Sequence, residues 1–202
     1  ACAQLIARMA SVCVAMAILG ALPGVTLAGT APECASLHIV AQPADYRLRN
    51  STEVLKWSYE DNWRSHTERA VEGVRRGDVS RRMMYEINWT LTRWPNHVPA
   101  LEALAKYDIG GGRMYEYYPA RCYFDASRRT FSDDIAIVMI EGTWLYRKRK
   151  FDEAQKTFED ALAMEPDSAE AHYNLGLVYF QKKDYAAARK HSDAAYAAGY
   201  PL

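Results

Sequence analysis

Side chains able to do chemistry are present in this sequence, but their spacing does not assemble a familiar reaction. The five histidines, His38, His66, His97, His172 and His191, show no metal-ligand spacing and no paired carboxylate motif. No Cys-x-x-Cys occurs, which removes zinc and thioredoxin-type chemistry. Gly110-Gly111-Gly112-Arg113 is Gly-rich, yet no Lys-Ser/Thr follows it and no strand precedes it, so it reads as a flexible inter-helix turn. No Ser, Cys or carboxylate stands in a nucleophile context. Asp125, Asp133 and Asp134 lie near an aromatic-rich stretch, and Asp133 reads as the N-cap of a helix starting near Ile135. The expectation is no enzyme, no metal site and no cofactor.

The cysteines take their meaning from the N-terminus. Arg8, an apolar run from Met9 to Leu22, the breaker Pro23-Gly24 and the small residues up to Ala28 follow the order of a secretory leader, with cleavage after Ala28. The run is short for a membrane span. Residues 1–28 are therefore a signal peptide or, alternatively, an N-terminal anchor that leaves the rest facing the periplasm. The expected location is periplasmic or secreted. A bacterial leader of this kind discounts the sequons at Asn50 and Asn88. The absence of an initiating Met and the finish at Leu202 suggest a piece of a longer reading frame. Cys2 and Cys13 would leave with the leader, and Cys34 and Cys122 remain as an even pair in an oxidising compartment. A disulfide between them is expected, strapping an extended arm at 29–56 across the fold.

Those elements are helices, and they repeat. Gly142, Leu145, Phe151, Ala154, Phe158, Ala161 and Pro166 are answered one period later by Gly176, Tyr179, Tyr185, Ala188, Ser192, Ala195 and, one position late, Pro201. Tyr173, Leu177 and Phe180 form one helical stripe, Lys182-Lys183-Asp184 a polar turn, Ser168 an N-cap and Gly199 a stop. Walking the period backwards finds degenerate copies, with turns at Arg75-Arg76-Gly77-Asp78, Trp94-Pro95-Asn96 and Gly110–Gly112. Eight helices in four antiparallel pairs are expected from about Trp57 onward. The two early blocks cover 57–134 and two well-formed repeats cover 135–168 and 169–202. Net charge is zero, which argues against nucleic acid or an anionic membrane as partner. Any membrane contact would run through an uncleaved N-terminal segment.

The stretch from Asn174 to Ala188 resembles the tetratricopeptide repeat. That resemblance implies an all-α, right-handed superhelical solenoid of antiparallel helix pairs, with about four repeats and the first two degenerate. It also implies that the first helix of each pair lines a concave face holding a peptide or partner protein. On this chain the face carries over to Met139, Thr143 and Tyr146, then Tyr173, Leu177 and Phe180, with Asn174 placed to hold a ligand backbone. The Lys and Arg of the family's carboxylate-clamp form are missing, since Met139 and Glu170 stand there. The groove reads as apolar and aromatic. Trp57, Tyr59, Trp63, Trp89, Trp94, Tyr115, Tyr117, Tyr118 and Tyr123 read chiefly as fillers of wide gaps in the degenerate blocks. The function read from this is an exported scaffold supporting assembly of a cell-envelope complex. The alternative is an accessory module or enzyme of cell-envelope polysaccharide metabolism. An uncapped last repeat would favour self-association.

Overall fold

The computed structural model describes Cys34 and residues 37–52, 64–112 and 117–201. The leader at 1–28 lies outside the described residues, as do Trp57, Tyr59, Trp63 and Tyr115. Among the described residues there are eight α-helices and no strand: α1 (Arg64–Arg75), α2 (Arg81–Leu91), α3 (Val98–Ile109), α4 (Ala120–Thr130), α5 (Ile135–Arg147), α6 (Phe151–Met164), α7 (Ala169–Gln181) and α8 (Tyr185–Ala197). Consecutive helices pack on one another, and the first helices of successive pairs, α1, α3, α5 and α7, also lie side by side. No described helix is long and apolar enough to cross a membrane.

The first helix of every pair ends in one way. Two residues beyond its last turn the chain enters the left-handed region, at Gly77, Gly111, Arg149 and Lys183, with φ between 61 and 87°. The next residue then donates its N–H back over the turn: Asp78 to Gly73, Gly112 to Tyr107, Lys150 to Leu145 and Asp184 to Tyr179, all at 2.9–3.0 Å. This wrap satisfies helix carbonyls that would otherwise lack donors and reverses the chain into the second helix.

Starts are equally regular. His97, Asp134 and Ser168 cap α3, α5 and α7 by accepting the backbone N–H of Ala100, Ala136 and Ala171. Asp134, not Asp133, caps α5, because Asp133 turns outward to Arg47 (3.0 Å). The interval from His97 to Asp134 is three residues longer than that from Asp134 to Ser168. Hence α3 begins earlier than a strict period places it, and Ala105 takes the small-residue position held by Gly142 in α5 and Gly176 in α7. The long connection from Gly110 to Pro119 replaces the short turns of the later repeats.

Packing follows the small residues. A Cβ on Gly142 would stand 2.5 Å from the Phe158 ring, so α5 and α6 close only because none is there. At Gly176 the backbone itself comes near, with the Ala188 carbonyl 3.3 Å from the same point, because Ser192 leaves the space that Phe158 fills one repeat earlier. Ala154 is fully buried. Ala188, expected to match it, is only half-buried and lines a hollow on α7 and α8, although its carbonyl marks the close approach to Gly176.

The arm at 37–52 runs along the turns between repeats. Val40 and Ala44 donate to the carbonyls of Thr92 and Arg93 (3.0 and 2.9 Å). The Tyr46 N–H donates to Asn96 Oδ1 (2.8 Å), and Asn96 Nδ2 donates to Asp45 and Asp134 (2.7 and 2.9 Å). Arg47 bonds Asp45 and Asp133, and these hydrogen bonds hold both carboxyls below the usual range, although at Asp45 burial opposes the shift. A disulfide joins Cys34 to Cys122 on α4, both buried, with Cα atoms 5.2 Å apart. Closing so long a loop stabilises by about 4–5 kcal/mol in the chain-entropy account.

His97 gives this region a pH dependence. It is 0 % exposed, and burial pushes its pKa from 6.5 down to about 3. Its Nδ1 lone pair accepts the Ala100 amide (3.2 Å), so a proton there would also remove the cap. Below pH 6.5 the unfolded chain binds a proton that the folded chain refuses, so stability falls as pH drops towards 3. The expected loss is about 2 kcal/mol between pH 7 and pH 5. Urea midpoints measured across that range should show the slope, and His97→Asn, which retains a capping oxygen, should flatten it.

Candidate partner-binding groove

Three first helices build the groove. α3 contributes Glu102, Ala105, Lys106 and Ile109; α5 contributes Met139, Ile140, Thr143, Trp144 and Arg147; α7 adds Glu170 at its start. The hollow holds about 490 Å³. Its floor is apolar, from Ala105, Met139 and the half-buried Ile140, and charged side chains of both signs stand around it.

Trp144 sets the spacing of its walls. The ring is buried against Phe124 (centroids 5.2 Å apart), and its Nε1–H donates to Asp108 Oδ2 at 2.8 Å. Asp108 sits at the end of α3 and also receives Lys148 (3.0 Å), so one carboxylate ties both helices. The side facing away is different: Arg121, Arg128, Glu141, Glu153 and Asp160 interlock there, with Arg128 reaching Glu141 at 3.1 Å and Asp160 at 2.8 Å. Burial raises the Glu141 pKa, and the Arg128 charge offsets part of that rise.

The structure divides the residues expected to share one face. Met139 and Thr143 lie in the groove. Tyr146 does not: its ring meets Phe151 (5.7 Å) and its hydroxyl accepts from Gln181 (3.3 Å). Tyr173, Leu177 and Phe180 line a separate hollow on the outer side of α7 and α8, where Tyr173 stacks on Tyr200 (4.3 Å). Asn174 is half-buried and lines neither hollow. Lys106, Arg147, Glu102 and Glu170 make the groove more charged than the sequence implied. The α3 residues are missed by a strict period and recovered once the caps at His97 and Asp134 are aligned. Asp133 and Asp134 are engaged by Arg47, by the α5 cap and by Asn96, while Asp125 lies on α4 among the outer charges. These acids do not form one cleft.

The tetratricopeptide repeat profile matches residues 141–201, which span α5 from Glu141 through α8. Residues 141–201 carry tetratricopeptide repeats. Over 60 residues the chain is 43 % identical to the human Superkiller complex protein 3, a match covering 29 % of this chain and 4 % of that protein. Over 46 residues it is 37 % identical to the Hsp70-Hsp90 organising protein of Plasmodium falciparum (isolate 3D7), covering 23 % of this chain and 8 % of the relative. The matched segments are thus a small part of either relative's length. A solved structure, the MamA RS-1 ArsTM double mutant, aligns with a TM-score of 0.49 and 14 % identity over 72 % of this chain and 80 % of the other. Tetratricopeptide repeats serve protein–protein interaction.

Asp108→Ala should leave the buried Trp144 indole N–H without its acceptor and destabilise by about 1–2 kcal/mol. Asp108→Asn keeps an acceptor and should cost less. Thermal melts of the two variants measure the difference.

Proposed function

We propose that the chain is an exported scaffold that holds a segment of a partner protein in the groove on α3, α5 and α7, supporting assembly of a cell-envelope complex. The observation carrying this reading is the groove itself: an apolar floor long enough for several side chains, framed by Lys106 and Arg147 and by Glu102 and Glu170. An apolar segment flanked by both signs of charge complements that arrangement, with the floor supplying affinity and the rim charges setting register. Export is supported by the leader-like order of residues 1–28 and by the Cys34–Cys122 disulfide, a bond that persists in oxidising compartments. The Plasmodium relative, named for the chaperones it organises, supports a scaffold role in general terms.

Ile140→Asp combined with Thr143→Arg puts charge on the floor and bulk at the mouth while touching residues that are not fully buried. Capture of partners from envelope extract should fall at least about tenfold, a loss of roughly 1.4 kcal/mol, with circular dichroism unchanged. Lys156→Ala, on the face opposite the groove, should leave capture intact. Equal capture by the groove variant and the wild type would remove this function from the groove.

A further inference from the structure

The α7–α8 hairpin brings together two histidines that stand 19 residues apart in the chain, His172 on α7 and His191 on α8. Their Nδ1 atoms are 3.0 Å apart, and both residues are half-buried. The helices meet closely beside them: a Cβ on Gly176 would lie 3.7 Å from the His191 Cβ. The pair sits on the side of the hairpin that faces α6, away from the hollow of Tyr173 and Phe180. There the His191 ring stacks on Tyr179 (5.4 Å), whose hydroxyl donates to Glu159 of α6 (3.3 Å). Spacing along the chain hides this pair, and only the hairpin reveals it.

One ring is held in a single tautomer. His172 Nε2 lies 3.1 Å from the Pro166 carbonyl oxygen, which can only accept, so Nε2 carries the proton and Nδ1 presents its lone pair. A carbonyl behind the imidazole is also what orients histidine ligands at metal centres. His191 has two choices. With its proton on Nδ1 it donates to His172; with the proton on Nε2, both Nδ1 lone pairs are available to one ion.

The separation suits such an ion. Nitrogens 3.0 Å apart, each about 2.0–2.1 Å from a metal, subtend about 90–100° there, the angle between neighbouring ligands of a square plane or octahedron. Among the described residues no three His, Cys, Asp or Glu side chains gather at one point, so water fills the other positions. We infer that His172 and His191 form a two-histidine site for a divalent late transition-metal ion of the nickel–copper class. Binding moves the His191 proton from Nδ1 to Nε2 and releases none. An ion held by both helices favours the folded hairpin over the unfolded chain, and so stabilises it. The site is separate from the α3–α5–α7 groove and does not depend on the function proposed for that groove.

Ni²⁺ titrated into the intact chain tests it, read from the imidazole C–H resonances and from thermal melts with and without the ion. The paramagnetic ion should broaden His172 and His191 before the exposed His38, and should raise the melting temperature. His172→Gln and His191→Gln should each weaken binding about tenfold or more and abolish the rise. His38→Gln should alter neither. Comparing melts of each variant with and without Ni²⁺ separates a lost ligand from a lost packing contact. Broadening of His38 as early as the pair, unchanged affinity in either single variant, or no rise in melting temperature at millimolar Ni²⁺ would each overturn the inference.

Discussion

The close pairing of the last two helix pairs turns on the small residues Gly142 and Gly176. At the first, the Phe158 ring fills the space where a methyl would stand; at the second, the Ala188 carbonyl of α8 lies 3.3 Å from that point, a tight contact. Because both pairs close tightly, the first helices of successive pairs lie near enough to share a surface, and the α3–α5–α7 groove is that surface. Ala105 takes the same position relative to the cap in α3. The buried link from Trp144 to Asp108 then fixes how far α3 and α5 stand apart.

The arm solves a different problem. The α3–α4 pair has a long connection in place of a short turn, and α4 meets its neighbours over a limited stretch. Cys34 holds α4 covalently, and Asn96 gathers the arm, the α2–α3 turn and the α5 cap in one set of hydrogen bonds. A fully buried amide using its oxygen and both N–H groups is satisfied rather than costly. The side of the array where repeats are least regular is therefore the side that is strapped.

Much of this was legible in the residues. The small positions at Gly142, Ala154 and Gly176, the turns at Arg75–Asp78 and Lys182–Asp184 and the Ser168 cap read directly, because each reports a local constraint that tolerates few side chains. What stayed hidden depended on distance along the chain. The three-residue offset of α3 is absorbed in the Gly110–Pro119 connection, and without it Lys106 and Ile109 cannot be placed opposite Ile140 and Thr143. Assigning the α5 cap to Asp133 was reasonable locally and wrong globally, since Arg47 draws that carboxylate outward. Tyr173 and Leu177 answer Met139 and Thr143 of the groove one repeat earlier, yet they border a different hollow, because no further first helix packs beyond α7 among the described residues.

The central claim is that partners are held on the face made by α3, α5 and α7. Site-specific photocrosslinking tests it most directly, with a benzophenone side chain placed singly at Thr143 in the groove, at Lys156 on the opposite face and at Tyr185 beside the outer hollow. A partner crosslinked from Thr143 and not from Lys156 is the predicted result, whatever Tyr185 reports. The same partner crosslinked from Lys156 and not from Thr143 would contradict the account.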